Sequence, residues 1–128
     1  MADASLIKKL QFKPGKRVAV LHAPPGYLER LGDLPGGSQA AVKIEGEFDI
    51  IQAFFETRQE LAAVVSSLLA ALAEGGFIWV SYPKQTSRRG SDLNRDVIWA
   101  DLAASGLRPV AQIAVDDIWS ALRFKREP

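Results

Sequence analysis

The chain of 128 residues contains no cysteine and a single histidine, His22. Without cysteine there is neither a disulfide nor a thiolate metal site, and one histidine is too few for a histidine-based zinc site, so we predict no bound metal. The net charge is also close to zero, at +1, because the chain has sixteen Lys and Arg residues and fifteen Asp and Glu residues. Such a chain has no overall field that draws it to nucleic acid or to an anionic membrane. Any preference for anions must therefore be local.

Long hydrophobic runs are also missing. The longest apolar stretch, residues 61–73, is interrupted by Ser66 and Ser67, and it falls well short of the ~20 residues that a membrane-spanning helix needs. No apolar signal core lies at the N-terminus, so we expect a cytoplasmic protein without membrane contact. With 48% hydrophobic and 24% charged residues, the composition is that of a globular protein, and the length predicts a single domain over residues 1–128.

The residues that are present predict alternating strands and helices. An apolar run bounded by Gly75-Gly76 and Pro83 is typical of a buried central strand. Thr57 and Glu60 form a capping-box pattern that predicts the start of a helix, and Gly75 is expected to end that helix. Ser5 and Asp92 are expected to cap two further helices. The predicted strands cover residues 17–21, 48–55, 77–82, 107–115 and 118–125, and the predicted helices cover residues 5–10, 27–31, 57–73 and 93–104.

Two short connections constrain how the strands are arranged. Residues 116–117 are too few for a parallel crossover, so the last two strands should form an antiparallel hairpin. Residues 45–47 reach only ~10 Å at ~3.3–3.6 Å per residue, so a weak strand at residues 40–44 should be short, at an edge, or antiparallel. The whole pattern predicts an α/β fold of Rossmann-like type, with a mostly parallel sheet, a C-terminal antiparallel hairpin and helices on both faces.

Residues 13–18 (KPGKRV), 48–51 (FDII) and 75–80 (GGFIWV), together with the closing hairpin, resemble a shortened class I S-adenosylmethionine (SAM) methyltransferase. That family carries a G-x-G-x-G loop after the first strand, where its backbone approaches the cofactor. This chain has HAPPG at residues 22–26, and Leu21 or His22 replaces the family's acidic residue at the strand end. Because the two prolines remove two amide donors, we expect that SAM does not bind at physiological concentration.

A second resemblance covers nearly the whole chain. The sequences APPG at residues 23–26, WVSYPK at 79–84, DL at 92–93 and DIWSALRF at 117–124 are similar to a small bacterial family known only as a domain of unknown function. This resemblance implies a bacterial protein of the same fold. It implies no particular activity.

Polar side chains follow the predicted parallel strands, at the edge of the sheet where ligands bind in open α/β folds. His22 follows the first strand, with Pro25 and Gly26 in the turn behind it, and is interpreted as a structural histidine in preference to a proton carrier. Lys84 follows the central strand and is either an anion ligand or an exposed lysine. We predict that these two segments form one cleft, with His22 and Lys84 pointing at an anionic ligand.

The loop that follows Lys84 is cationic. Ser87, Arg88 and Arg89 complete the predicted ligand-binding set, with solvated loop charges as the alternative. Glu56 is interpreted as a charge that favours a helix N-terminus rather than as a base, and Arg30 as part of a solvated helix face. No catalytic residue and no cofactor are assigned from the residues alone.

Three functions from different classes are compatible with this sequence. The preferred hypothesis is a non-catalytic Rossmann-like module that binds a small anionic ligand or a partner protein, because the chain is short and its first loop is altered. The first alternative is a small SAM-dependent methyltransferase, which the scaffold favours. The second is a structural protein that forms homo-oligomers. Nucleic acid is not an expected partner, since the chain lacks a large positive charge.

Overall fold

The computed structural model describes residues 3–37, 39–87 and 90–127, which form a five-stranded sheet covered by helices on both faces. The strands are β1 (Val18–Leu21), β2 (Phe48–Phe54), β3 (Leu72–Pro83), β4 (Leu107–Ala114) and β5 (Trp119–Arg126), in the order β1-β2-β3-β5-β4. The first three strands are parallel, and β5 runs antiparallel between β3 and β4. The predicted Rossmann-like α/β sheet with a closing antiparallel hairpin is therefore confirmed.

Four α-helices and one short 3-10 helix complete the described ranges. They are α1 (Ala4–Leu10), α2 (Tyr27–Leu31), α3 (Arg58–Ala71) and α4 (Arg95–Ala103), with the 3-10 helix at Gln85–Ser87. One core cluster joins α1 and α2 to Val18 and Val20, and the other joins α3 and α4 to Ala19 and Leu21. β1 thus buries both of its faces, as its alternating apolar residues predict. No helix in the described part of the chain is long and apolar enough to cross a membrane.

The start of α3 is the predicted capping box. The Glu60 amide donates to Thr57 Oγ1 at 3.1 Å, and the Thr57 amide donates to Glu60 Oε1 at 3.0 Å. The end of α3 differs from the prediction, because Leu72 adopts an extended backbone and pairs with Phe48 of β2. β3 consequently begins before Gly75, which lies inside the strand rather than at the end of the helix.

The other helix starts are displaced from their predicted caps. The Asn94 side chain, rather than that of Asp92, caps α4 by accepting from the Val97 amide at 2.9 Å. Asp92 Oδ1 instead accepts from the backbone amide of Arg58 at 2.8 Å. Asp3 caps α1 in place of Ser5, because its carboxylate accepts from the Leu6 amide. In each case a neighbouring Asp or Asn side chain takes the capping position in place of the residue predicted from the sequence.

The weak strand at residues 40–44 is a single parallel bridge between Ala41 and Ala19. The Ala41 amide donates to Val18 O at 2.9 Å, and the Val20 amide donates to Ala41 O at 2.8 Å. The expectation of a short, edge position is confirmed, and the antiparallel alternative is wrong. Within the described ranges, a single bridge therefore covers the outer edge of β1.

Candidate functional site

The carboxyl ends of β1, β2 and β3 meet at one edge of the sheet. Leu21 pairs with Ala53, and Phe54 pairs with Ser81, so the parallel strands end close to the same level. The three polar segments predicted from the sequence, at His22, Glu56 and Lys84, therefore follow neighbouring strand ends. This is the edge at which open α/β sheets bind ligands.

The turn after β1 is exposed and has two residues in the left-handed region. His22 has φ 56° and an exposed side chain whose ring meets that of Phe55 edge-on, with centroids 6.0 Å apart. Gly26 has φ 83°, and no heavy atom lies within 4 Å of the position that a Cβ would occupy. The Tyr27 amide donates to Pro24 O at 3.1 Å and closes the turn. The backbone at Gly26 is consequently open to the approach of a ligand.

A buried chain of polar side chains lies beneath this turn. The Tyr27 hydroxyl donates to Gln52 Oε1 at 2.7 Å, and Gln52 Nε2 donates to Ser81 Oγ at 3.1 Å. Gln52 and Ser81 are fully buried, and burial raises the pKa of the Tyr27 hydroxyl well above its ordinary value. The chain ties the first residue of α2 to β2 and β3. The sequence signal for this chain is the glutamine inside the apolar run FDIIQAFF, which was not among the predicted site residues.

Lys84 lines a cavity of about 620 Å³ at the end of β3. Its backbone is fixed, because its amide donates to Ile118 O at 2.7 Å and its carbonyl accepts from Ser87 Oγ at 2.6 Å. The Lys84 side chain is half-buried. The other lining residues come from β3, β4, β5, the 3-10 helix and the start of α4, and they are Tyr82, Gln85, Thr86, Asn94, Arg95, Asp96, Val97, Gln112 and Ser120.

The predicted site residues thus fall into two groups. His22, Pro25 and Gly26 belong to the turn after β1, whereas Lys84 and Ser87 belong to the segment that follows β3. The described lining of the Lys84 cavity includes none of the first group. Arg88 and Arg89 lie outside the described residues. One cleft shared by both groups stays a prediction.

Two charged residues have roles that the sequence did not indicate. The Glu56 amide donates to Glu60 Oε1 at 2.7 Å, so the capping carboxylate holds the end of β2 as well as the start of α3. Arg30 was interpreted as a solvated helix residue, and that was wrong. Its guanidinium donates to Asp3 at 2.9 Å, to Asp116 at 3.1 Å and to the Val115 carbonyl at 3.0 Å.

A resident metal has no evident ligand set in this part of the chain. Among the described residues there is no group of three or more His, Cys, Asp or Glu side chains that could hold a metal ion. The polar groups available at the sheet edge are the His22 imidazole, hydroxyls, amides, ammonium and guanidinium groups, and exposed carboxylates.

No family model and no curated protein matches the sequence, so membership of the uncharacterised bacterial family stays a prediction. Solved structures do match. Ribosomal protein L11 methylase from Lactobacillus delbrueckii subsp. bulgaricus has a TM-score of 0.64 and is 16% identical, over 98% of this chain and 77% of that one. Magnesium protoporphyrin IX methyltransferase from Synechocystis PCC 6803, with bound SAM, has a TM-score of 0.64 and is 13% identical, over 97% of this chain and 76% of that one.

A third match is N-methyltransferase NodS from Bradyrhizobium japonicum WM9, with a TM-score of 0.53 and 17% identity over 88% of this chain and 74% of that one. The chain has a methyltransferase-like Rossmann fold. The comparison also corrects the preferred functional hypothesis. These fold neighbours are methyltransferases, one of them with bound SAM, and they favour the methyltransferase alternative over a non-catalytic module that binds an anion or a partner protein.

Proposed function

We propose that this chain is a small SAM-dependent methyltransferase whose cofactor would lie at the carboxyl ends of β1 and β2. The observation that supports it most is the strand order β1-β2-β3-β5-β4, with antiparallel β5 between β3 and β4. Nearly the whole chain, 98% of it, superposes on a solved methylase with a TM-score of 0.64. SAM, when bound, supplies an electrophilic methyl group, and the protein supplies the binding surface that orients it.

The turn after β1 fits such a cofactor through its open backbone. The family's glycine-rich loop serves to bring the backbone close to the ligand, and Gly26 offers the same approach, since nothing fills the space beside its Cα. The bond from Tyr27 to buried Gln52 fixes the turn against the sheet. The prolines at positions 24 and 25 supply no amides, so the approach at Gly26 would carry most of the contact. The proposal therefore reverses the expectation that was drawn from the prolines alone.

Calorimetric titration with SAM and with S-adenosylhomocysteine tests the proposal. Gly26→Asn places a side chain in the open space while tolerating the left-handed backbone better than other residues do. We expect measurable SAM binding to the parent chain and at least a roughly tenfold weaker affinity in Gly26→Asn, equal to about 1.4 kcal/mol.

Gly15→Asn is the matched control. Gly15 has φ 79° and, like Gly26, no heavy atom within 4 Å of a Cβ position, but it precedes β1 and so lies away from the carboxyl edge. The control should bind SAM as the parent does. A parent chain that shows no binding at millimolar SAM, or equal affinities in all three proteins, would contradict the proposal.

A further inference from the structure

No residue of the turn after β1 is among the described lining of the Lys84 cavity, and the cofactor proposal leaves this cavity unused. It lies at the carboxyl end of β3, the strand that pairs with β2, and the 3-10 helix, α4, β4 and β5 supply its other walls. The cavity is wide open to solvent, and its volume of about 620 Å³ falls within the usual range of small-molecule sites. Its lining is more polar than a typical site, so its chemistry indicates the kind of group that it can hold.

The cavity combines cations with neutral hydrogen-bond donors. Lys84 and Arg95 contribute positive charge to its lining. Asp96 is the lining carboxylate, and its Oδ1 lies 3.7 Å from Arg95 Nε in an exposed pair. A pair at that distance in water is weak, which leaves Arg95 available to a second anion. Lysine as a point charge and arginine as a planar fork are the side chains that recognise carboxylate and phosphate groups.

The floor of the cavity is built from buried hydroxyl groups. Tyr82 is 6% exposed and Ser120 is 9% exposed, and the two residues are paired across β3 and β5. Gln112 Nε2 donates to the Tyr82 hydroxyl at 3.2 Å and orients it. The Tyr82 and Ser120 side chains are also hydrogen-bonded to each other, so one hydroxyl hydrogen of the pair remains to donate to a ligand oxygen. They lie on strands bonded within the sheet, so their positions are set before any ligand arrives.

The cationic wall is also held in position. The backbone of Lys84 is fixed on both sides, by Ile118 through its amide and by Ser87 through its carbonyl. The half-buried lysine therefore extends from a rigid strand end rather than from a loose loop. Arg95 is the first residue of α4, whose start is capped by Asn94. The backbones that carry both cations are therefore fixed before an anion binds, and only the two side chains lose freedom on binding.

We infer that this cavity binds an oxyanion, a carboxylate or a phosphate group, carried by the methyl acceptor. The assignment to the acceptor rests on the proposed methyltransferase function, and it follows from the cavity's place at the carboxyl end of β3, the strand that pairs with β2. The oxyanion would lie between Lys84 and Arg95, above the hydroxyls of Tyr82 and Ser120.

The test uses inorganic phosphate and acetate as probes, without SAM, in separate titrations followed by amide NMR shifts. We expect at least one probe to shift the amides of Lys84, Arg95 and Ser120 in a saturable manner. Lys84→Met and Arg95→Met should each raise its dissociation constant about tenfold, because each removes a charge-assisted hydrogen bond. The probe that binds more tightly distinguishes a phosphate-bearing from a carboxylate-bearing acceptor.

Lys125→Met and Arg108→Met are the matched controls. Lys125 is half-buried like Lys84, and it pairs with Arg108 towards the opposite end of the β4–β5 hairpin. Both controls should leave the dissociation constants unchanged. Tyr82→Phe gives an independent variant that keeps the charges and removes only a hydroxyl, and it should also weaken binding.

Failure of this inference and failure of the proposed function are distinguishable. The absence of saturable shifts with either probe, or dissociation constants that are unchanged in Lys84→Met, Arg95→Met and Tyr82→Phe, would overturn the oxyanion site. That result is independent of SAM titration. Oxyanion binding at this cavity in a chain that does not bind SAM would support the site and overturn its assignment to a methyl acceptor.

Discussion

Gln52 is a polar residue in the middle of β2, and it is fully buried. Its amide group is satisfied on both sides, by the Tyr27 hydroxyl and by Ser81 Oγ. A buried polar group without a partner costs far more than a satisfied one gains. The three side chains are therefore interdependent, and each fixes the position of the others across α2, β2 and β3.

Tyr27→Phe should accordingly destabilise the protein by about 1–3 kcal/mol, because it leaves Gln52 Oε1 buried without a donor. The phenyl ring keeps the edge-on contact with Phe54, whose centroid lies 4.7 Å away. Urea unfolding measures the effect. Tyr82→Phe is the matched control and should cost less, because one partner, Gln112, is exposed and can bond to water, and the other, the Ser120 hydroxyl, can rotate to another acceptor. Equal costs in the two variants would show that Gln52 finds another donor.

The same tyrosines make stability depend on alkaline pH. Burial raises the pKa of Tyr27 strongly and raises that of Tyr82 as well. The unfolded chain loses its tyrosine protons near pH 10 while the folded chain retains them. The contribution of these two tyrosines to the free energy of unfolding is therefore fully present below about pH 10, and it is lost as the pH rises further.

Urea midpoints measured between pH 8 and pH 11 test this dependence. Tyr27→Phe should remove more of the alkaline loss than Tyr82→Phe does, since Tyr27 has the larger pKa shift. An alkaline loss in Tyr27→Phe as steep as that of the parent would mean that this hydroxyl titrates normally.

At the scale of elements, α3 has a start that the sequence defines and an end that it does not. Both partners of the capping box, Thr57 and Glu60, lie within one helical turn, so their pattern is readable in a short window. The end depends on the pairing of Leu72 with Phe48. Pairing of that kind joins residues far apart in the chain, and helical periodicity carries no information about it.

Thr57→Ala should lower the free energy of unfolding by about 1 kcal/mol, because the Glu60 amide loses its acceptor at the start of α3. Thr86→Ala changes an exposed threonine in the 3-10 helix and should have little effect. The measurement is the urea midpoint at neutral pH. A midpoint that does not move in Thr57→Ala would indicate that water replaces the cap without cost.

The start of α4 also could not be located from the sequence alone. Asp92 is a good capping residue by type, but its carboxylate accepts from the Arg58 amide at the start of α3. Asn94 then takes the capping position. Two acceptors lie near one helix start, and only their three-dimensional surroundings decide between them.

At the scale of the whole molecule, the alternation of strands and helices was predictable from the sequence. The set of residues that form the candidate site was predictable only in part. The hairpin of β4 and β5 and the edge position of residues 40–44 followed from connection lengths. The Lys84 cavity did not, because Gln112 and Ser120 approach Lys84 only after β5 inserts beside β3. Strand order is set by the packing of both sheet faces at once, and no local pattern encodes it.

Strand order also predicts how stability is distributed. β3 is bonded to β2 on one side and to β5 on the other, so amides such as that of Val80 should exchange with solvent only when the whole protein unfolds. The Val20 amide instead donates to Ala41 O at the single bridge on the outer edge of β1. Opening of that short segment should expose Val20 while the rest of the sheet stays intact.

Native-state hydrogen exchange in increasing urea separates these two processes. The exchange free energy of Val80 should fall linearly with urea along the global unfolding line, because its opening exposes the surface of the entire core. That of Val20 should be lower and nearly independent of urea until the two lines merge, because its opening exposes little surface. If the exchange free energy of Val20 followed the Val80 line at every urea concentration, the edge of the sheet at β1 would open only together with its centre at β3. The segment around Ala41 would then be an integral part of the sheet rather than a local cover.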